Sequence, residues 1–414
     1  MLSANRQQVT FLPTDLESIL PEKHGARAVW GFVEGLNLER IYGKIQAVEG
    51  EAGRPAIDPK ILIALWLYAT LQGVGSARAL AQLCEMHRAY QWICGGVRVN
   101  YHTLADFRVA HAEELGQILT DSAAALMAQG LVKMKRVAQD GVRVRASAGA
   151  ASFRRKRTLE EYRQQAAEQV SKLRAELEAD PGATTRRQAA AKKRAAEDRQ
   201  KRIEEALKHM PEMEEKRKAG EKDQARVSTT DAEARVMKMA DGGFRPAYNG
   251  QFATDTDTQV IVGVEVSNSG NDAGQMPTMM DQIQERYGRR PKEILVDGGF
   301  GRRKDIEAAT EKGSTVYAPV MKPLDSGRDP HAPMAGDSET IAAWRARMGT
   351  EQAKRIYKER AATAECVNAI SRNRGLQQFR VRGIKKVRAV LLWFALAHNL
   401  IRGLQLCLAA PATS

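Results

Sequence analysis

The spacing of hydrophobic residues is helical up to about residue 130. Pro59 precedes an almost unbroken apolar run at 60–68, which predicts a buried helix with proline in its first turn. Ser76 suits the N-cap of a second helix at 77–86, and two further helices are predicted before the region ends. Short helices joined by glycine-containing turns fit a DNA-binding module of the helix-turn-helix kind, and they fit a plain helical bundle equally well.

The period of the pattern changes after residue 130. Residues 135–145 alternate between apolar and polar positions, as a half-buried strand does, and Asp140 lies inside this strand. The stretch 154–226 is polar, charged and rich in alanine, with apolar residues at three- and four-residue steps around a predicted turn at 180–182. This stretch predicts a helical hairpin that is inserted into a domain of mixed structure.

The rest of the chain alternates between strand and helix patterns. The predicted strands lie at 248–253, 259–267, 293–297 and 315–318, and the predicted helices at 276–287, 303–312, 339–370 and 387–406. The fold class is therefore mixed α+β. We expect a helical N-terminal domain at 1–130, the first part of the mixed domain at 131–153, the inserted hairpin at 154–226, and the remainder with basic C-terminal helices at 227–414.

The charge of the chain adds a partner to this picture. Lysine and arginine total 64 residues against 50 aspartates and glutamates, a net charge of +14. Such an excess favours a polyanionic partner, and nucleic acid fits better than a membrane because no basic amphipathic helix dominates. A basic soluble protein without such a partner is the plain alternative. No apolar run reaches roughly 18 residues and no signal-peptide pattern is present, so we expect a cytoplasmic protein without membrane association.

Three acidic residues lie where the predicted topology would bring them together. Asp140 is in the first strand of the mixed domain, Asp297 ends its fourth strand, and Glu365 is on a long helix near the C-terminus. In a strand-strand-strand-helix-strand layout the first strand is central and the fourth pairs beside it. Their acids then meet at one edge of the sheet, and the later helix can lay a glutamate across that edge.

Such a cluster requires cations, because like charges within about 4–6 Å repel one another. Two Mg²⁺ ions about 3.5–4 Å apart would neutralise it, and would activate a water or a DNA 3′-hydroxyl for attack on a phosphodiester. Each acid taken singly has a plainer interpretation. Asp-Gly pairs are common turn signals, and Glu365 could be an ordinary surface residue of a helix.

The end of the mixed domain is strongly basic. Between residues 354 and 388, eleven lysines and arginines face only Glu359 and Glu365. This density suits a surface that binds the DNA backbone and releases it as the salt concentration rises. The candidate DNA-binding residues of this region are Arg360, Arg372, Arg374, Arg380, Lys385 and Lys386.

The sequence resembles the DDE transposases of bacterial insertion sequences over nearly its whole length. The N-terminal residues that carry the resemblance are Gly53-Arg54-Pro55, Asp58-Pro59, Leu67-Tyr68, Ser76-Ala77-Arg78, Tyr101-His102-Thr103 and Phe107-Arg108. Those of the mixed domain are Gln139-Asp140-Gly141 with Ala146, Tyr248-Asn249 with Gln251, and Val296-Asp297-Gly298-Gly299-Phe300.

The most specific motif of this family is a helix that carries Tyr, Arg, Glu and Lys. Tyr357, Arg360, Glu365 and Arg372 fill those places. Two departures are visible. Four residues separate the arginine from the glutamate, where three is the commonest number, and Arg372 stands where lysine is usual.

The resemblance implies a ribonuclease-H-like catalytic domain that binds two Mg²⁺ ions, or Mn²⁺, through Asp140, Asp297 and Glu365. It implies an enzyme that binds the inverted repeats of an element as a dimer on double-stranded DNA, cuts there, and joins the 3′-hydroxyl ends to target DNA. Arg360 and Arg372 would contact phosphates near the cut, and Tyr357 would position a displaced nucleotide, although core packing explains this tyrosine equally well. Two alternatives stay open: an inactive or domesticated DNA-binding relative, and a metal nuclease of repair or recombination with the same fold.

Overall fold

The computed structural model describes residues 15–45, 55–179, 183–321 and 329–410, without the side chains of 177, 179 and 183–187. The predicted turn at 180–182 and the motif residues Gly53 and Arg54 lie outside the described part.

Helices form all the regular structure described before residue 130. Their bounds are Gly25–Glu34 (α1), Glu39–Tyr42 (α2), Pro59–Leu71 (α3), Ala77–Met86 (α4), Arg88–Cys94 (α5), Tyr101–Ala110 (α6) and Ala112–Ala128 (α7). As predicted, α3 is buried on nearly every side, and the Ser76 side chain caps α4 through the backbone N–H of Ala79. The sequence pattern missed α1, α2 and α5.

Two long helices occupy most of the stretch 154–226. Strand β1 (Arg136–Arg145) leads into the short strand β2 (Phe153–Arg154), which pairs with β3 (Val227–Ser228) at the base of the insertion. Between them lie the long helices α8 (Lys156–Ala179) and α9 (Ala183–Lys208) and the short helix α10 (Met210–Glu215). The hairpin has a small core of its own at its root, which includes Leu159, Ala166, Ile203, Ala206 and Met210.

One curled mixed sheet forms the centre of the remaining structure. Its other strands are β4 (Arg235–Lys238), β5 (Phe244–Asp255), β6 (Ile261–Ser267), β7 (Glu293–Leu295) and β8 (Thr315–Tyr317). Strand β5 is antiparallel to β4 and β6 on one side and to β1 on the other, and β1, β7 and β8 follow in parallel. The first long strand is therefore interior and the predicted fourth strand lies beside it, as the sequence predicts.

Helices cover the sheet and carry part of the site. Helices α11 (Gln275–Tyr287) and α12 (Arg303–Glu311) precede β7 and β8. The helix predicted at 339–370 is divided into α13 (Glu339–Gly349), α14 (Glu351–Arg360), a π-helical turn (Ala361–Glu365) and α15 (Cys366–Asn373).

The final helix, α16 (Ile384–Ala409), is long and apolar enough by length and composition to cross a membrane, but half of its most apolar window is buried inside the protein. It packs against α3, α6 and α7 and also against β6. Two buried polar residues tie it to the sheet: Asn399 bonds the backbone of Ile261, and His398 bonds the carbonyl of Gln259. This helix therefore belongs to a core shared by the N-terminal helices and the sheet.

Candidate active site

Asp140 and Asp297 extend from neighbouring parallel strands at the same level. Strand β1 pairs with β7 so that Ala138 lies opposite Leu295, and each aspartate follows two residues later. Adjacent strands lie about 4.8 Å apart and side chains alternate between faces, so this register puts the two carboxylates side by side. Asp297 Oδ1 also accepts a hydrogen bond of 2.7 Å from the backbone N–H of Gly299, which fixes the side chain at the end of the strand.

A further aspartate, Asp272, lies beside these two, and the sequence interpretation missed it. Its Oδ1 accepts hydrogen bonds from the side-chain amides of Asn249 and Gln251, both at 2.7 Å. A Cβ atom built on Gly299 would lie 3.0 Å from Asp297 Oδ1 and 3.3 Å from Asp272 Oδ2. The two carboxylates are therefore no more than about 6 Å apart.

The topology explains why Asp272 reaches this place. Strands β1 and β6 are both antiparallel to β5, so they run in the same direction and their carboxyl ends meet at one edge of the sheet. An acid after β6 is thus a candidate for the same edge as Asp297. The sequence carries this signal only once the strand order is known, because four residues separate Asp272 from Ser267, the last residue of β6.

Glu365 reaches the site through Arg360. One guanidinium nitrogen of Arg360 lies 3.6 Å from Asp140 Oδ1, and the other bonds Glu365 Oε1. The Glu365 side chain is 52% exposed, whereas that of Asp140 is 16% exposed. The structure therefore brings Asp140 and Asp297 together on the floor of the site and holds Glu365 at its rim, paired with Arg360.

The π-helical turn at Ala361–Glu365 makes this pairing possible. In an α-helix with 3.6 residues per turn, a residue five positions on lies about 140° further round the axis. A π-helical turn joins residues i and i+5, so it returns the fifth residue to nearly the same face. The wider turn thus accommodates the extra residue between Arg360 and Glu365.

Polar contacts fasten the helix that carries these residues to the sheet. Asn368 Nδ2 donates to Asp140 Oδ2 at 2.9 Å. Towards the amino ends of the strands, the Arg136 guanidinium bonds Glu293 of β7 at 2.8 Å and Glu359 of α14 at 2.7 Å. These links hold α14 and α15 across β1 and β7.

The environment of Asp140 opposes its negative charge. Burial raises the pKa of Asp140 to about 6, and the Asp297 and Asp272 carboxylates act in the same direction, while Arg360 opposes them. This arrangement favours any cation that can approach the carboxylate.

The donor atoms of the site fit a hard divalent cation. In the described part of the chain no three carboxylate, imidazole or thiol side chains converge closely enough to enclose a metal ion as they stand. The available ligands are nevertheless all oxygen: the carboxylates of Asp140 and Asp297, and the buried Oδ1 atoms of Asn249 and Asn368, which have no hydrogen-bond partner among the described residues. Carboxylate and amide oxygens are the donors that hard divalent cations prefer.

Tyr357 is half-buried beside the site. Its ring centre lies 5.9 Å from the Arg360 guanidinium, and its side chain packs against the core under α14. Burial raises the pKa of its hydroxyl. The position is compatible with both interpretations of this residue, a core aromatic and a contact for a nucleotide.

The other predicted DNA-binding residues lie in different places. Arg372 is exposed on α15, and Lys385 and Lys386 are exposed in the first turn of α16. Arg374 and Arg380 instead line a large cavity between the N-terminal helices and the sheet. The basic tail is therefore not one continuous face.

Two family models match the chain. A transposase domain family (DUF772) matches residues 14–110, and the transposase DDE domain family matches residues 221–400, which include Asp297, Arg360 and Glu365. The chain belongs to the DDE transposases of insertion sequences. No curated protein and no solved structure matches it.

The two matched stretches leave out the middle of this transposase. The DDE match begins at residue 221, near the end of the inserted hairpin, so strand β1 with Asp140 precedes it. In the structure, β1 lies outside both matched stretches, but it pairs with β5 and β7, which lie inside the DDE match. The candidate role of Asp140 depends on its register beside Asp297 and on its contacts with Arg360 and Asn368.

Proposed function

We propose that this transposase cuts DNA at the ends of its element and joins the resulting 3′-hydroxyls to target DNA, with Asp140, Asp297 and Glu365 as the catalytic residues. The observation that carries the proposal is the gathering of Asp140, Asp297 and Asp272, from three separate segments, where only the guanidinium of Arg360, 3.6 Å from Asp140, and that of Arg143, 3.9 Å from Asp272, form ion pairs with them among the described residues. The strand order β6-β5-β1-β7-β8 supports a ribonuclease-H-like catalytic domain around this cluster.

Asp140, Asp297 and Glu365 would hold the divalent ions, Mg²⁺ or Mn²⁺. When bound, such ions lower the pKa of a coordinated water or 3′-hydroxyl and stabilise the leaving oxygen of the phosphodiester. Glu365 becomes available as a ligand when its side chain turns from Arg360 towards Asp140. Arg360 is then free to neutralise a phosphate oxygen of the scissile bond, which a guanidinium does well because it binds phosphate through two N–H groups.

The remaining residues serve the DNA. Tyr357 would hold the nucleotide displaced next to the cut, and Arg372, Arg374, Arg380, Lys385 and Lys386 would bind backbone phosphates, a sequence-independent attraction that weakens with salt. Two element ends must be held together for transfer, so the active form would be a dimer on double-stranded DNA. The protein would act in the bacterial cytoplasm.

The test is cleavage of a duplex that carries the DNA flanking the gene, with Mg²⁺ or with EDTA. We expect nicking by the wild type in Mg²⁺ only, and none by the Asp297→Ala or Asp140→Ala variants. Asp121→Ala removes an exposed carboxylate of α7 that accepts a hydrogen bond from Gln117 of the same helix and is not part of the cluster, and it should cleave normally.

Retained DNA binding in the cleavage-deficient variants is part of the expectation, because the carboxylates do not attract the backbone. Full cleavage by either variant would remove that aspartate from the catalytic set. Tight binding without any cleavage by the wild type would favour an inactive, DNA-binding transposase relative. Cleavage without joining of the 3′-hydroxyls would favour a nuclease.

A further inference from the structure

A cavity of about 800 Å³ lies between the N-terminal helices and the sheet. On one side it is lined by the turn after α3, the start of α4, and α6. On the other side it is lined by the residues just beyond β1, by the segment after α15, and by α16. The two glycine turns that meet here pack backbone against backbone: the Gly375 Cα, whose φ is +94°, leaves a Cβ position only 3.4 Å from the carbonyl oxygen of Gly73.

The lining of this cavity is strongly cationic. It contains Arg78, Arg108, Arg145, Arg374 and Arg380 and no aspartate or glutamate. None of these arginines forms an ion pair within the described part of the chain, whereas Arg136 and Arg360 near the carboxylate cluster each pair with acidic residues. Five uncompensated charges around one concave space attract an anion, because like charges brought together raise the free energy of the empty site.

Arg108 is the fixed centre of the cavity. Its side chain is buried, its guanidinium lies 4.8 Å from the Trp66 ring centre, and one nitrogen donates to the carbonyl of Gly75 at 2.7 Å. Its Nε is buried without a hydrogen-bond partner among the described residues. Burial and the nearby charge of Arg380 lower the pKa of Arg108 to about 10. A buried guanidinium without a carboxylate partner has a high free energy, and an anionic group that binds beside it lowers that free energy.

Arg380 and Arg145 add two exposed positive charges around this centre. Arg380 is exposed, and its Nε lies 3.7 Å from the Cβ position of Gly75, so it reaches across to the N-terminal helices. Arg145 is the last residue of β1, and its backbone pairs with the segment that carries Arg380. The cavity therefore needs both the N-terminal helices and the sheet to be complete.

The cavity lies at a fixed distance from the carboxylate cluster. Arg145 follows Asp140 by five residues of an extended strand, so their Cα atoms are about 17 Å apart along the strand. Arg374 follows Glu365 by nine residues of mainly helical structure, which corresponds to about 13 Å. A DNA strand that advances about 3.4 Å per base pair would cover this distance in four or five base pairs.

We propose that this cavity, lined by Arg78, Arg108, Arg145, Arg374 and Arg380, binds the phosphate backbone of the element end four or five base pairs from the cut. The inference rests on the proposed function, since it takes the anion to be a phosphodiester of DNA. It adds a site shared by the N-terminal helices and the sheet, at which DNA would hold the two parts together. Base identity plays no role in such a contact.

The salt dependence of DNA affinity tests the site. Binding of the full chain to a 40-base-pair duplex that carries the flanking DNA is measured by fluorescence anisotropy in EDTA over a range of KCl concentrations. Each phosphate contact contributes about −0.9 to the slope of log affinity against log salt. The Arg380→Gln and Arg145→Gln variants should each reduce this slope by about one and weaken binding about tenfold.

The matched control is Arg289→Gln. Arg289 is exposed and precedes the amino end of β7, so it lies at the sheet edge opposite to Asp297, and it does not line the cavity. This variant should bind as the wild type does. Slopes for Arg380→Gln and Arg145→Gln that equal the control slope would overturn the proposal.

Two further outcomes separate the possible explanations. A free mononucleotide that binds the wild type in micromolar amounts and that the duplex does not displace would make the cavity a nucleotide site, and would also overturn the proposal. Cleavage in Mg²⁺ is scored separately. If the wild type never cleaves but the salt-dependence slope falls in both variants, the phosphate site stands and the proposed function is wrong. If the wild type cleaves and both slopes are unchanged, the proposed function stands and the phosphate site is wrong.

Discussion

Asp140 is charged at neutral pH in a place where burial and two neighbouring carboxylates oppose that charge. Between about pH 4 and pH 6 the folded protein keeps a proton on Asp140 that the unfolded chain has released. The free energy of unfolding therefore falls as pH rises through this window, and the full penalty is present above pH 6. This is the cost of keeping an anionic site ready for cations.

The Asp140→Asn variant should therefore be more stable than the wild type at pH 7.5 without divalent ions, by about 1–3 kcal/mol. The amide oxygen of the substituted side chain can still accept the hydrogen bond from Asn368, so the contact need not be lost. Urea unfolding at pH 7.5 and at pH 5 measures the effect, which should shrink at the lower pH. Lower stability of Asp140→Asn at pH 7.5 would contradict this account, and Asp121→Asn serves as the control.

Gly141 leaves the space in which Asp272 is held. A Cβ atom at this position would lie 2.5 Å from Asp272 Oδ1 and 2.7 Å from atoms of Asn249 and Gln251. We expect Gly141→Ala to lower the free energy of unfolding by about 1–3 kcal/mol, because these buried, hydrogen-bonded side chains must move. Thermal unfolding measures this. Gly149→Ala, where nothing lies within 4 Å, should be nearly neutral, and equal effects of the two would exclude the steric explanation.

At the scale of secondary structure, the π-helical turn shows how the family motif tolerates an extra residue. A π-helical turn is a single-residue insertion that leaves the helix on either side in register. Helices α14 and α15 can thus keep their contacts with β1 and β7 although the spacing between Arg360 and Glu365 is longer than usual.

Deletion of Ala361 should therefore convert the turn to a regular α-helix with little loss of stability, and should keep the contact between Arg360 and Glu365. Ala369 is also an exposed alanine, but it lies within the regular helix α15. Its deletion should rotate Arg372 and the rest of the helix relative to Asn368, so that one of the two sides loses its contacts, and should lower the melting temperature strongly. Circular dichroism melts compare the two. If both deletions are equally harmful, the π-helical turn does not absorb the inserted residue.

The sequence predicts those elements that are long enough to repeat their hydrophobic pattern several times. Helices α3, α8, α9 and α16 and strands β1, β5 and β6 are of this kind, since each repeats its pattern several times. Strands β2 and β3 have two residues each and carry no period, and α1, α2 and α5 are too short or too irregular for one. Tertiary pairing, rather than local pattern, produces the short strands.

The candidate site divides in the same way. The adjacency of Asp140 and Asp297 could be predicted because Asp140 lies in the long alternating strand β1 and Asp297 directly follows the apolar run 294–296. Asp272 could not, because its place depends on a segment that folds back over the sheet after β6. The pairing of Glu365 with Arg360 also needed the structure, because an α-helix would place these residues on different faces.

At the scale of the whole molecule, α16 makes stability depend on a buried neutral histidine. Burial lowers the pKa of His398 to about 4, although its hydrogen bond to the Gln259 carbonyl opposes this. Because the folded state resists protonation that the unfolded chain accepts below about pH 6.5, stability is lost as pH falls from 6.5 towards 4.

The His398→Gln variant should lose less stability than the wild type between pH 7.5 and pH 5, because glutamine keeps an N–H donor near the Nε2 position and cannot titrate. Urea unfolding at the two pH values provides the comparison. His102→Gln, at an exposed position on α6, should follow the wild type. Equal acid sensitivity of wild type and His398→Gln would assign the loss to other groups.

The short pairing of β2 with β3 has a consequence for the architecture of the transposase. It brings the two ends of the inserted hairpin to adjacent strand positions, Arg154 beside Val227. The chain therefore leaves the catalytic domain and returns to it at points no further apart than the two ends of a tight turn. The hairpin is therefore a separate module, and a variant in which Asn-Gly joins Arg154 to Val227 should keep the pairing of β2 with β3 and leave the central sheet unchanged. A lineage could gain, lose or exchange such an arm in one step without disturbing the register of Asp140.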